Sequence, residues 1–338
     1  MKAKKLFISV ITLCCTMVAW AQNNQSVTAI LQHVVDGNET VKVYVGKEAF
    51  KNAYTDAVNG DVITLSSGSF DVPSAFQKEL SVYGAGYEED AASGTAVTTL
   101  NNSINIKDIE SLSNLHFEGL RINSTITCNI PISNMVISKC LCEYVYLYGA
   151  TCTDITIQQC VIKSGVQGKN NSNNITKAEN LRIKNCIMGG AQTFDPSSTA
   201  QIDHCLLTAK TNPTTQNPYI YPFIYTNCIF GKKGEGVNIT GTLQYCIVSW
   251  YFSCNNPNNV LDLRTAAVFT DGDWASEYSA DRTYTLLKPD EWIGNDNTQI
   301  GIHGGMGFSK VPSTPVIKNM TVTPEGKKIK VNYETNVR

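Results

Sequence analysis

The sequence has few charged residues, few histidines and only one long apolar run, and these shortages exclude several kinds of protein. Asp, Glu, Lys and Arg make up 17% of the 338 residues, and there are four histidines. A membrane helix needs about 20 apolar residues, and no run after position 21 reaches that length. Cys-x-x-Cys pairs of the kind that ligate zinc are missing, and only Cys140-Leu-Cys142 comes near. We therefore expect neither a transmembrane segment nor a metal site.

The first 21 residues have the pattern of a secretory signal peptide. Three lysines precede an apolar run at positions 6–18, and Ala19-Trp-Ala21 is a small-x-small cleavage site. The predicted mature chain begins at Gln22 and is secreted, whether periplasmic, extracellular or on the cell surface. Without the leader, 24 basic and 29 acidic residues remain, a net charge of −5. This charge argues against nucleic acid as a partner.

Six cysteines with similar surroundings reveal an internal repeat of 18 to 26 residues: Cys140, Cys160, Cys186, Cys205, Cys228 and Cys246. A short strand precedes each of them, as in Asn134-Met-Val-Ile-Ser-Lys-Cys140. Five positions before the cysteine stand Leu115, Met135, Ile155, Leu181, Ala200 and Phe223. Three positions before it stand Phe117, Ile137, Ile157, Ile183, Ile202, Tyr225 and Leu243. These apolar columns should point inward, and the polar column two positions before the cysteine should point outward.

Stacked copies of one short strand form a continuous core, so the repeat predicts an all-β fold, a right-handed parallel β-helix. The expected organisation is a signal peptide (1–21), a parallel β-helix with an N-terminal cap (22–310), and a linker with a β-hairpin or partial β module (311–338). A helix within 47–58 should cap the open end, and residues 286–305 resemble a closing coil. The cysteines are expected to be free, stacked thiols, because in-register stacking holds their Cβ atoms too far apart for disulfides.

The segment Phe50-Lys-Asn-Ala-Tyr-Thr-Asp-Ala-Val-Asn-Gly-Asp-Val-Ile-Thr-Leu, the Asn-x-x-Ile-x-x-Cys strands and the ending Ile293-Gly-Asn-Asp-Asn-Thr-Gln-Ile-Gly-Ile-His-Gly-Gly resemble right-handed β-helix proteins of the pectate-lyase-like superfamily. More narrowly, the chain resembles exported β-helix proteins of gut bacteria. The resemblance spans roughly residues 40 to 310. It implies a fold that carries lyases, hydrolases, esterases and adhesins, so it does not identify an activity.

Lyases of this superfamily gather carboxylates for calcium and place an Arg or Lys nearby to remove a substrate proton. In the outward column the acids are Glu118 and Asp203, four rungs or about 19 Å apart, so they cannot share an ion. If the protein is an enzyme, the candidates are Arg182 and Lys184 as the base with Asp203 as the charged partner, and calcium as the cofactor. The other interpretation of these residues is an ordinary surface ion pair.

Three tyrosines in Glu143-Tyr144-Val145-Tyr146-Leu147-Tyr148 alternate with apolar residues, so all three should face outward from one strand. Exposed rings can stack on sugars, although tyrosine is also common in strands for its packing alone. We therefore expect a non-catalytic protein that binds glycan or another surface partner through Tyr144, Tyr146 and Tyr148, without a cofactor. The alternative is a polysaccharide lyase acting on an acidic glycan.

Overall fold

A computed structural model describes the fold. It covers residues 27–35, 38–90, 95–169, 175–192, 194–208, 223–230, 237–248, 252–263, 267–272, 277–313, 316–325 and 328–336. The predicted signal peptide lies outside the described residues.

The chain contains one helix, α1 (Ala49–Asp56), among the described residues, and otherwise short strands. The strands are β1 (Thr28–Val35), β2 (Asn38–Val45), β3 (Asp61–Leu65), β4 (Gly68–Phe70), β5 (Leu80–Tyr83), β6 (Thr98–Leu100), β7 (Ile104–Ile106), β8 (Leu112–Glu118), β9 (Arg121–Ile122), β10 (Thr125–Cys128), β11 (Ile132–Ser138), β12 (Leu141–Leu147), β13 (Thr151–Gln158), β14 (Val161–Gln167), β15 (Lys177–Glu179), β16 (Leu181–Lys184), β17 (Ile187–Met188), β18 (Ala191–Gln192), β19 (Ala200–Asp203), β20 (Leu206–Leu207), β21 (Ile224–Thr226), β22 (Ile229–Phe230), β23 (Val237–Gln244), β24 (Ile247–Val248), β25 (Phe252–Asn258), β26 (Leu261–Asp262), β27 (Val316–Glu325) and β28 (Lys328–Asn336).

The strands coil into a β-solenoid of about 8 turns, which confirms the predicted parallel β-helix. The first sheet has the order β2-β1-β3-β5-β8-β11-β13-β16-β19-β21-β23-β25, with β15 beside β13. The second sheet has the order β26-β24-β22-β20-β17-β14-β12-β9-β6-β4, with β7, β10 and β18 at its side. From β3 to β26 all pairings between these strands are parallel, and β1 pairs antiparallel with β2 and β3.

The predicted inward columns form the core. Every residue of both columns is at most 6% exposed. The polar column faces outward, as predicted, and two of its residues, Glu118 and Ser138, are nevertheless buried. At Glu118 the cover is the chain near Ser313, whose backbone N–H donates to the carboxylate.

The cysteines form a ladder of free thiols, as the sequence predicts; the nine cysteines whose side chains are described are all buried and unpaired. The backbone N–H of Cys140 donates to Sγ of Cys160 at 3.4 Å, and the same contact joins Cys160 to Cys186. In the six cysteines of the column, each Sγ also donates to the carbonyl two residues before it, at 3.2 Å in Cys186. The sulfur atoms of Cys160 and Cys186 therefore each accept a hydrogen bond from the backbone of the neighbouring rung and donate one to a carbonyl. A small buried thiol can do both, which suits cysteine to this position.

Near the N-terminal end, α1 packs on the core of the solenoid. Its residues Phe50 and Tyr54 are buried and pack on Phe76, with ring centroids 6.0 and 5.0 Å away, and Phe76 in turn contacts Phe117 of the core at 5.6 Å. The predicted role of this helix as an end cap stays a prediction. At the other end of the chain, β27 and β28 pair antiparallel, with Glu325 opposite Lys328.

An apolar column on the outside of the solenoid is covered by the C-terminal part of the chain. The residue after each cysteine points outward and is buried, at 8% exposure or less: Leu141, Val161, Ile187, Leu206, Ile229 and Ile247. They form a second apolar cluster with side chains from residues 268–302, which include Val268, Phe269, Tyr284, Leu286, Trp292, Ile300 and Ile302. The interpretation of residues 286–305 as a closing coil is therefore wrong, because they lie along the side of the solenoid instead.

Residues 294–313, which we call the strap, run back along the rungs in reverse order. The side chains directly before five of the six cysteines hold them: Asn227 bonds Asn295, His204 contacts Asp296 and Gly301, Asn185 bonds Ile302 and Gly304, Gln159 bonds Gly307, and Lys139 bonds Ser313. The distances lie between 2.7 and 3.2 Å. One or two polar contacts on each of these five rungs thus fix the register of the strap.

We expect the described thiols to be unreactive in the folded protein, because all nine are buried where a thiol reagent cannot reach them. Burial also raises the pKa of Cys140 and Cys160 well above the ordinary value and keeps these two protonated. Thiol titration at pH 8 should detect at least nine thiols per chain in guanidinium and almost none of these nine without denaturant. A count below nine in unreduced, denatured protein would show a disulfide and contradict the ladder.

Replacing Asn185 with alanine should loosen the strap. The side-chain N–H groups of Asn185 donate to the carbonyls of Ile302 and Gly304, so its loss leaves two buried carbonyls unpaired and costs about 1–3 kcal/mol of unfolding free energy. Asn180→Ala is the matched control, because Asn180 has the same left-handed backbone but an exposed side chain. Urea unfolding and limited proteolysis of the strap would measure the difference, and equal losses in the two variants would contradict it.

Candidate functional site

A polar groove of about 310 Å³ lies on the outer face of the first sheet, where β8, β11 and β13 begin. Its polar lining consists of one carboxylate and five hydroxyl groups, from Glu79, Ser111, Ser113, Ser133, Thr151 and Thr153. Leu112, Pro131 and Ile132 complete the lining. We call this cavity the hydroxyl groove.

The rungs themselves space the hydroxyl groups. Ser113 pairs in register with Ser133, and Ser133 with Thr153, so three hydroxyls repeat at the strand spacing of about 4.8 Å. They face outward because the next residue in each strand has a left-handed backbone, as Asn134 does with a φ of 49°. The side chain of Asn134 donates to that of Asn114 at 2.6 Å, so a hydrogen bond between neighbouring rungs lies beside the row of hydroxyls.

Glu79 closes one end of the row. Ser113 Oγ donates to one of its carboxylate oxygens, and Asn114 Nδ2 donates to the other at 2.9 Å. These two hydrogen bonds lower the pKa of Glu79, so the carboxylate is ionised at neutral pH. Each oxygen keeps acceptor capacity for a further donor, since an ionised carboxylate has about four lone-pair sites.

A second polar group adjoins the groove on the same face. The Tyr83 hydroxyl lies 3.2 Å from Nδ1 of His116, and Nε2 of His116 lies 3.4 Å from Glu118. Burial opposes ionisation of Glu118, but the contacts with His116, Ser313 and Lys139 outweigh it and lower its pKa to about 2. With these partners, and 3% exposure, Glu118 is not available to a ligand or a metal ion.

The three predicted tyrosines lie as a stacked row on the second sheet, with the alternating Val145 and Leu147 fully buried in the core. The ring of Tyr146 lies 4.8 Å from the rings of both Tyr144 and Tyr148, at interplanar angles of 14° and 21°. Rings lying side by side in one plane cannot approach this closely, so they overlap face to face. A sugar therefore cannot stack on Tyr146, and the row presents ring edges and hydroxyl groups instead.

The candidate lyase residues lie on adjacent strands. Lys184 lies opposite Asp203 in register, and Arg182 lies opposite Gln201. The Arg182 side chain donates to Asn180 at 3.0 Å, and the Asp203 carboxylate accepts from Asn227 at 3.1 Å. Within the described residues no ion pair joins Lys184 to Asp203. Arg182 and Asp203 thus bond separate partners.

The groove residues were not among the predicted site residues. Ser133 and Thr153 each stand seven positions before the cysteine of their repeat, and Ser113 stands seven positions before Leu120, which occupies the cysteine position one repeat earlier. A column of hydroxyl residues was therefore visible in the sequence. Glu79 carried no comparable signal, because its rung has no cysteine to mark the register. The sequence therefore contained the row of hydroxyls but not the carboxylate that completes it.

Tyr146→Ala should destabilise the protein by about 1–3 kcal/mol, because it removes both ring pairs of the tyrosine row, each worth about 0.5–1.5 kcal/mol. Tyr146→Phe keeps the stack and is the control, so its urea midpoint should stay near that of the unmodified protein. If alanine and phenylalanine gave the same midpoint, the stacking contribution would be refuted.

In the part of the chain that the structure describes, no three His, Cys, Asp or Glu side chains come together as a set that could hold a metal ion. No family model matches this chain, and neither the curated proteins nor the solved structures contain a match. What the protein does must therefore be inferred from its own residues.

Proposed function

We propose that this chain is an exported β-helix protein of the pectate-lyase-like type, which binds a glycan in the hydroxyl groove without transforming it. The observation that supports the proposal most directly is the regular row of Ser113, Ser133 and Thr153 ending at the Glu79 carboxylate. The signal-like residues 1–21 support export. None of the described helices has the length and hydrophobicity needed to cross a bilayer.

A glycan suits this groove because both partners are arrays of hydroxyl groups. A serine or threonine hydroxyl donates one hydrogen bond and accepts others, so it can adapt to either role of a sugar hydroxyl. One such bond contributes only about 0.5–1.5 kcal/mol in water. A row repeated on successive rungs adds these small contributions along an extended ligand, which a single hydroxyl cannot do.

The tyrosine row extends the same surface around a corner of the solenoid. Thr151 of the groove follows Tyr148 by three positions, so their Cα atoms are at most about 11 Å apart. Hydroxyl edges of Tyr144, Tyr146 and Tyr148 add donors and acceptors beyond the groove. A ligand longer than the groove would reach them.

The groove is tested by filling it. Ser133→Tyr places a ring among the lining residues, and Thr156→Tyr is the control, since Thr156 is equally half-buried on the same face but outside the lining. In gels loaded with single polysaccharides, we expect at least one glycan to retard the unmodified protein and the control. Ser133→Tyr should bind that glycan at least about tenfold more weakly, because several hydrogen bonds are lost at once.

Unchanged retardation of Ser133→Tyr would contradict binding in the groove. The same assay includes Tyr146→Phe, and equal retardation of this variant would remove the tyrosine row from the site. New reducing ends or unsaturated uronate absorbance, with or without calcium, would contradict the non-catalytic part of the proposal. In that case Arg182 and Lys184 would be the first residues to replace.

A further inference from the structure

The hydroxyl groove contains one charged side chain, and that side chain is acidic. Its other polar lining residues are hydroxyls, so Glu79 alone sets the charge inside. Two further carboxylates border the groove in the described chain: Glu110 directly precedes Ser111, and Asp154 directly follows Thr153. A third, Glu179, lies opposite Thr153 in register but forms an ion pair with Lys177, which lies opposite Thr151. The residues that border the groove therefore carry a net negative charge, as its interior does.

The neighbouring ammonium groups are already engaged. Lys177 pairs with Glu179 at 2.6 Å. Lys78, next to Glu79 in the chain, donates to backbone carbonyls at the end of α1, among them those of Tyr54 and Ala57, at 2.8 and 2.7 Å. Lys177 therefore offsets only the charge of Glu179, and the Lys78 ammonium is directed toward α1. The carboxylates of Glu79, Glu110 and Asp154 leave the groove and its border with a net negative charge.

Glu79 is suited to hydrogen-bond donors that carry no negative charge. One donor holds each of its oxygens, Ser113 on one and Asn114 on the other, and these fix the plane of the carboxylate against the groove wall. The acceptor sites that remain can take hydroxyl hydrogens from adjacent carbons of a sugar ring. A ligand carboxylate would instead bring a like charge to the same place, and like charges repel.

We infer that the hydroxyl groove selects a neutral glycan, with sugar hydroxyls donating to the Glu79 carboxylate, and excludes polyanionic chains such as polyuronates. This inference rests on the proposed function, because it specifies the ligand of the same groove. The inferred ligand is neutral, whereas the substrate of the lyase alternative would be an acidic glycan. The lowered pKa of Glu79 supports the inference independently of the charge pattern, because it keeps the carboxylate ionised under mildly acidic conditions.

The test uses pairs of polysaccharides that share a backbone and differ only in oxidation at C6: cellulose oligomers with their uronate form, and β-1,4-mannan with polymannuronate. Affinity electrophoresis of the full mature chain at low salt would compare the members of each pair. We expect retardation by a neutral member and little or none by its acidic partner. Added salt should reduce the difference in retardation between the neutral and the acidic member, because screening weakens repulsion between exposed charges.

Glu79→Gln should weaken binding of the neutral member by about 10- to 100-fold, because hydrogen bonds to a charged acceptor are the stronger kind. Glu277→Gln is the matched control, since it removes the same charge from an exposed side chain that neither lines nor borders the groove, and it should bind within about twofold of the unmodified protein. Thermal unfolding of both variants distinguishes loss of binding from loss of folding.

Two results would overturn the inference and leave glycan binding intact. The first is an acidic member that is bound as strongly as its neutral partner. The second is unchanged binding by Glu79→Gln while Ser133→Tyr abolishes it, which would remove the carboxylate from recognition. Failure of every glycan, neutral or acidic, to retard the protein would overturn the proposed function itself.

Discussion

The residue directly before each cysteine of the column has a left-handed backbone, with φ between 48° and 56°: Lys139, Gln159, Asn185, His204, Asn227 and Tyr245. This conformation costs a non-glycine residue about 1–2 kcal/mol, less where Asn occupies it, and the stacked rungs on both sides offset the cost. It turns the chain from the first sheet into the second and places the sulfur atom in the core. The same conformation directs the side chain of the left-handed residue outward. Residues such as Asn185 can therefore hold the strap.

The same backbone device creates the hydroxyl groove at the other end of the strand. Asn114, Asn134 and Asp154 have φ between 49° and 54°, and each interrupts the alternation of a strand by one position. Ile132 consequently points into the core while Ser133 points out. The groove, with the glycan binding proposed for it, is therefore a consequence of how the chain enters each strand. Replacing the left-handed residue would move the hydroxyls as well as strain the backbone.

The features that repeat in every turn of the solenoid could be predicted from the sequence, and the features that occur once could not. Columns counted back from the cysteines identified the core, because side-chain direction in a strand has a period of two. Strict alternation extended beyond Met135 would have turned Ser133 inward, since the left-handed Asn134 is not visible in a pattern of apolar residues. The outward apolar column after the cysteines, which includes Val161 and Ile187, was not part of the prediction, although its residues repeat with the same period. The strap has no repeat of its own, so its partners could not be assigned, and the face-to-face stacking of Tyr146 depends on side-chain rotamers.

The strap also imposes an order on folding. Neighbouring rungs join residues about 20 positions apart, as in the hydrogen bond from Cys140 to Cys160, so the solenoid can grow one turn at a time. The strap bonds span 68 residues between Asn227 and Asn295 and 195 between Glu118 and Ser313. Closing such long loops costs more chain entropy and requires rungs that already exist. We therefore expect the strap to dock after the rungs that it binds. Until residues 268–302 pack on the solenoid, the apolar column along its side is exposed to water and to other chains.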